Sequence, residues 1–263
     1  MNDSQRSQMT TQSSRVEAAG ISDPGKARSE NQDAIFLDES GTFMLLADGM
    51  GGHERGGEAS TAALTIIRAY LTPEAIRNEL CDITEGSGVP GEIVCIQSLV
   101  DEAIRDANAK IYERNQKEQL QRFMGTTVVG LVFLESGYVV WFHVGDSRIY
   151  RWRDSALKLL TSDHSARNEW ERSGRQGDEP GKNVITRAIG PTIAVSADTL
   201  WDKPQGGDIY LLCSDGLTDM ISENDIVGVM EKELRAEIIA SRLVDAANGA
   251  GGKDNVSVVV CCT

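Results

Sequence analysis

With 263 residues the chain is long enough for one large domain with its own core. Its 40 Asp and Glu outweigh 26 Lys and Arg, and the formal net charge of -14 sets aside general binding to nucleic acid or anionic membranes. No apolar run reaches the roughly 18 residues that a membrane span needs, and no signal-peptide core opens the chain, so a cytoplasmic monomer is expected.

Residues 1–15 are polar and without periodicity, which predicts a flexible tail ahead of a single domain over 16–263. A short strand follows Val16, then a loop punctuated by Pro24 and Gly25, then a strand through Ala34 to Leu37 closed by a turn at Glu39 to Gly41. Next comes FMLLADGMGGHERGG, in which five apolar residues from Phe43 to Ala47 read as a buried strand. That strand should pair antiparallel with its predecessor and deliver the Asp48 carboxylate into a glycine turn, a place suited to a metal or a phosphate.

Helical spacing runs from Gly57 to Leu71, with Ala59, Ala63, Ile66, Ile67 and Tyr70 on one stripe, and Pro73 ends or restarts it. After a loop over Asp82 to Gly91, Ile93, Ile96, Val100, Ala103, Ile104, Ala107 and Ile111 mark a second long helix. From Gly125 the pattern turns to strands: TTVVGLVFL, YVVWFHVG, RIYRWR and ALKLL, separated by short turns, predict a four-stranded antiparallel meander. Residues 165–182 form a polar excursion with a helical piece near Glu169 to Arg172. DIYLLCSDGLTDM then repeats the strand and Asp-Gly logic at Asp215. Helices over about Glu223–Glu231 and Leu234–Asn248 lead to Asp254 and a last strand, Val256 to Cys261. This order favours an α+β sandwich of antiparallel sheets over a parallel βαβ sheet.

Asp48, Asp146, Asp215 and Asp254 stand at strand ends. Carboxylates gathered without histidine or cysteine make a hard, all-oxygen environment that suits Mg²⁺ or Mn²⁺ and disfavours structural zinc. GMGGHE fails the dinucleotide fingerprint because Glu54 takes its last position, and no G-x-x-x-x-G-K-[ST] occurs. His53, His143 and His164 form no metal-ligand pair at helical spacing. The five cysteines, Cys81, Cys95, Cys213, Cys261 and Cys262, lack C-x-x-C spacing and read as reduced thiols. Arg28 in RSENQD is a cation able to grip a phosphate bidentately.

Taken together and in order, RSENQDA, LLADGMGGH, GGEAS, MGTTVVG, HVGDSRIYR, LTSDHS, NVITRAIG, LLCSDGLTDM and GGKDNVSVVV resemble the protein phosphatase 2C family, also called PPM, in its compact bacterial form. The resemblance implies a four-layer α-β-β-α sandwich, with two antiparallel sheets flanked by helices and a two-metal Mn²⁺ or Mg²⁺ site at one end. It implies hydrolysis of phosphoserine and phosphothreonine in proteins, the targets of a Ser/Thr kinase, by a metal-activated water. Asp48 would bridge both ions, the Gly49 carbonyl would bind one, and Asp215 and Asp254 would bind the other. Asp146 matches the residue that supports a third ion in several microbial relatives. Arg28 matches the phosphate-gripping arginine, and Asn31, Gln32 and Asp33 fall on its companion positions.

Two departures bear on that carry-over. Gln32 stands where many relatives have Glu, and Met50 where eukaryotic relatives often have a histidine as candidate general acid, which leaves His53, His164 or a water for that role. Residues 165–182 coincide with the family's variable flap, where Arg167, Arg172 and Arg175 are the local cations. The alternative on the same fold is a non-catalytic phosphoprotein-binding or regulatory module.

Overall fold

The computed structural model describes residues 6–13, 16–51, 55–80, 90–119, 122–181, 184–232 and 235–263. Its strands are β1 Ser7–Gln12, β2 Glu17–Asp23, β3 Asp33–Leu37, β4 Phe43–Met50, β5 Gly125–Thr126, β6 Val128–Phe133, β7 Val139–Val144, β8 Arg148–Arg153, β9 Ala156–Leu159, β10 Asp198–Asp202, β11 Ile209–Cys213 and β12 Val256–Cys262. They form two antiparallel sheets, β1-β2-β12-β11-β8-β9 and β10-β7-β6-β4-β3, with β5 paired to β4.

Alternation along each strand creates the layers, because successive side chains point to opposite faces. In β4, Met44 and Leu46 face the other sheet and join Ile149, Tyr210, Leu212 and Val259 in an inter-sheet core. Phe43, Leu45 and Ala47 face the opposite way, against Ala59, Ala63 and Ile67 of α1 Arg55–Tyr70 and Ile96 and Val100 of α3 Gly91–Lys117, with α2 Pro73–Leu80 alongside. On the far side, Leu211, Cys213, Val258 and Val260 pack on Ile239 and Leu243 of α7 Ala236–Gly249 and Ile226 of α6 Glu223–Met230. The expected α-β-β-α sandwich is therefore present, as three apolar layers stacked between and outside two sheets.

Three sequence expectations are corrected. Within the tail expected over residues 1–15, Ser7–Gln12 form a strand in full register with β2. Its backbone pairs as an edge strand despite an unpatterned polar sequence. The four-strand meander is split: β6 pairs β7, but β8 and β9 belong to the other sheet, where β8 pairs β11. Gly145 makes that crossing possible, since its φ of +104° and the close approach of Thr127 leave no room for a Cβ. Finally, Asp215–Thr218 form a short helix, α5, where only a turn was expected.

Candidate metal centre

At one end of the inter-sheet layer six strands change from apolar to polar on the same face, within the strand or one residue beyond it. Leu46 gives way to Asp48, Ile35 to Asp33, Leu212 to Ser214, Val259 to Ser257, Ile149 to Ser147 and Val129 to Thr127. The period of two along each strand thus gathers polar groups from both sheets into one pocket. Asp33 and Asp48 are cross-strand partners, and the Ser214 hydroxyl, from the opposite sheet, donates to Asp33 at 2.9 Å. Thr127 clasps Asp48 through its hydroxyl, which accepts the Asp48 N–H at 3.0 Å, and itself meets the Ser147 hydroxyl at 2.7 Å.

Asp146, Asp215 and Asp254 arrive from the loops and helix start that cap these strands. Gly216 lets α5 begin against the Asn255 carbonyl, where a Cβ would overlap that oxygen. The electrostatics show that the carboxylates converge. Burial, followed by repulsion from Asp33, Asp215, Asp146 and Asp254, holds the Asp48 carboxyl well above its ordinary range. Burial and Asp215 push Asp146 up to about 7, burial and Asp254 push Asp215 to about 6, and burial raises Asp33 to about 7. Such a donor set, all oxygen and short of positive charge, fits a hard divalent cation. Asp48, Asp146, Asp215, Asp254 and the Gly49 carbonyl are the groups that could hold one.

Arg28 closes one side, donating to Asp254 at 2.7 Å while more than half exposed, so its remaining donors face solvent at the mouth of the site. The loop that carries it is pinned by a residue the sequence reasoning passed over. Asn255 donates to the Pro24 and Glu30 carbonyls at 3.0 and 2.8 Å and accepts from the Gln32 N–H at 2.9 Å. Its position beside Asp254 was the available signal. Asn31 donates to the Ser22 hydroxyl at 2.7 Å and accepts from the Asp33 N–H at 3.2 Å. The Gln32 carbonyl receives the Gly49 N–H at 3.2 Å and the Ser60 hydroxyl at 2.6 Å, tying this loop to α1 and to β4, which runs on through Asp48 to Met50 where a turn was expected.

Beside the carboxylates lies a cleft of about 630 Å³, whose walls include Asp146, Asp215, Asp219, Arg167, Glu171 and Arg172. One wall is α4 Ala166–Arg172, capped at its N-terminus by Ser165. The expected excursion over 165–182 therefore borders the site. Arg167 is paired with Glu179 at 2.8 Å, and the Arg175 guanidinium lies 5.8 Å from the Trp170 ring centre.

His164, one of the alternatives for the acid beside His53 and a water, is set among other charges than the site aspartates. Its Nδ1 accepts the Gly145 N–H at 3.0 Å, its Nε2 lies 3.4 Å from Asp198, and the charges acting most strongly on it are Arg187, Asp198 and Asp163. His53 lies outside the described residues.

Fold and site together define a family, and a family model confirms it: the chain matches protein phosphatase 2C over residues 26–245 and belongs to that family. Among individual relatives, protein phosphatase PhpP of Streptococcus pneumoniae is 32% identical over 253 residues, covering 93% of this chain and 96% of the relative. The solved serine/threonine phosphatase of S. agalactiae is similar at 34% identity and a TM-score of 0.79, covering 94% of this chain and 99% of that one. The catalytic domain of the serine threonine protein phosphatase PstP, solved with two manganese ions, aligns at 31% identity and a TM-score of 0.77, covering 94% and 97%.

Proposed function

We propose that this protein removes phosphate from phosphoserine and phosphothreonine in proteins, using Mn²⁺ or Mg²⁺. The observation that carries this reading is the convergence of Asp48, Asp146, Asp215 and Asp254 at the polar end of the inter-sheet layer, with Arg28 at its mouth. Asp48, the Gly49 carbonyl, Asp215 and Asp254 would hold two ions, and Asp146 would support a third. When bound, the ions supply an activated water for attack on phosphorus and charge to neutralise the phosphoryl oxygens.

The chain's own residues do the rest. Arg28, its ordinary pKa raised by its hydrogen bond to Asp254, stays charged at any working pH and offers a planar fork to a phosphate. Asn255 and Asn31 fix the loop behind it, so the fork is aimed before substrate arrives. Asp33, held by Ser214, braces the Asp48 side of the site. The cleft against α4 gives the peptide around the phosphorylated residue somewhere to lie. Among the described residues no helix is long and apolar enough to cross a membrane. The reading that its substrates are the targets of a Ser/Thr kinase rests on the family match.

Hydrolysis of a small aryl phosphate with and without Mn²⁺ tests the proposal. Turnover that needs the metal and vanishes in Asp48→Ala supports it, whereas metal-independent turnover, or none in the intact protein, overturns it.

A further inference from the structure

A second buried cluster lies next to the carboxylates without belonging to them. His143 and His164 are 1% and 7% exposed and stack with ring centres 4.5 Å apart and planes at 16°. Asp198, opposite His143 in the β7–β10 register, reaches both rings, with its carboxylate 3.4 Å from Nε2 of His164 and 4.0 Å from Nε2 of His143. Arg187 holds the other Asp198 oxygen at 2.6 Å.

Spacing alone would allow a metal, since ligand atoms of the three residues lie within 4.8 Å of one another. Two observations exclude it. The lone pairs of stacked rings lie in nearly parallel planes and do not converge on a point between them. Moreover, Nδ1 of His164 accepts the Gly145 N–H at 3.0 Å, so in the neutral ring the proton sits on Nε2, where a metal would need the lone pair.

The tautomer points to a different task. Arg187 donates to Asp198, Asp198 lies 3.4 Å from Nε2 of His164 without a hydrogen bond to it, and Nδ1 of His164 accepts from the Gly145 amide. The His164 N–H returns to the Gly145 carbonyl at 2.9 Å, so both polar groups of this glycine are held by one residue. Asp146 is next in the chain. Two residues beyond it, Arg148 grips Asp163, the neighbour of His164, through both carboxylate oxygens at 2.7 to 3.2 Å. Asp146 thus sits on a short segment clasped at both ends to the strip that leads into α4.

Resting on the phosphatase reading for its catalytic consequence, we infer that His164 and Asp198 are positioning residues: His164, through Nδ1, fixes the Gly145 peptide and hence the metal-facing direction of Asp146, and the Asp198 carboxylate, 3.4 Å from Nε2, favours by its charge the tautomer with its proton there. Neither side chain lines the cleft beside the carboxylates.

The test compares His164→Ala, Asp198→Ala and His164→Asn, whose side-chain oxygen can take the place of Nδ1, each in the full chain and in an Asp146→Ala background. Three quantities are read: exchange of the Gly145 amide, Mn²⁺ binding by calorimetry, and kcat and KM on an aryl phosphate at saturating Mn²⁺. In His164→Ala and Asp198→Ala the Gly145 amide exchanges faster, the weakest Mn²⁺ binding falls about tenfold, and kcat falls about tenfold with KM little changed. His164→Asn restores exchange protection and kcat, and in the Asp146→Ala background His164→Ala still speeds exchange of the Gly145 amide but has no further effect on Mn²⁺ binding or kcat. Equal losses of Mn²⁺ binding or kcat with and without Asp146, or no rescue by Asn, overturn the inference and leave His164 a packing residue. Should His164→Ala fail to fold, Asp198→Ala decides, because the Asp198 side chain is 44% exposed and its loss leaves little cavity. The phosphatase reading fails separately, if the wild type shows no Mn²⁺-dependent turnover; amide exchange and calorimetry still judge the positioning.

Discussion

Two clusters of titratable groups lie one residue apart along the chain, at Gly145 and Asp146, and are built on opposite principles. Asp48, Asp146 and Asp215 crowd like charges, so each carboxyl is pushed upward by burial and by its neighbours. Around His164 the charges alternate: Arg187 on Asp198, Asp198 on the imidazole, the imidazole on an amide. The Asp198 carboxyl is correspondingly held below its ordinary range by Arg187 and His164, against the effect of burial. A self-neutralised cluster needs no partner, whereas a frustrated one is completed by a ligand. Proximity and residue type alone would have made both into metal sites.

The largest effect should come from the frustrated cluster. Replacing Asp48 or Asp215 by Ala is expected to lower kcat by about a thousandfold, comparable to the loss of a principal transition-state contact, with the circular dichroism spectrum unchanged. Mn²⁺ calorimetry on the same variants should lose its tight binding. Activity within tenfold of wild type in either variant would mean that the carboxylates do not hold the metals that matter.

Next in size is a pH effect from the histidine cluster. Burial, and the neighbouring His164, lower His143 to about 4 from an ordinary value near 6.5. Between those values the unfolded chain binds the proton that the folded chain refuses. This contribution to stability is therefore complete above pH 6.5 and is lost as pH falls, by about 2 kcal/mol at pH 5. The carboxyls raised to about 6 and 7 act with the opposite sign over the same range, so the readout is a difference: the denaturant midpoint of wild type minus that of His143→Gln should fall from pH 7 to pH 5. Ring-proton resonances that show a charged His143 at pH 5.5 would refute the shift.

How much of this was legible beforehand follows from what each feature depends on. Strands with apolar runs, such as Phe43–Met50 and Ile209–Cys213, declare themselves, and the aspartates at their ends come with them. Ser7–Gln12 does not, because an edge strand held mainly by backbone pairing needs no apolar pattern. The switch of sheets at Gly145 is hidden because RIYRWR reads the same whether it pairs with β7 or with β11. The Asp198–His164 contact depends on β10 docking beside β7, a long-range pairing with no local signature. Asn255 was visible as a letter beside Asp254 yet silent as a clamp, since its partners lie 225 and 231 residues away.

The comparison between the clusters is sharpest where the expected effects are smallest, because there the signs differ. Asp48→Asn keeps the shape of the side chain and removes one of several repelling charges, so in the presence of a chelator it should raise the melting temperature by about 3 °C, equivalent to about 1 kcal/mol in a chain of this size. Asp198→Asn makes the same atomic exchange but weakens a partly exposed ion pair, and should lower it by about 1 to 2 °C. Saturating Mn²⁺ should then reverse the first ranking, since wild type gains binding free energy that Asp48→Asn forgoes, while leaving the Asp198→Asn deficit in place. Equal signs in chelator would mean that Asp48 is already neutralised by the protein, and the metal would lose its electrostatic reason for binding there. Opposite signs that survive added Mn²⁺ would instead mean that repulsion exists but that the cation settles elsewhere along the cleft.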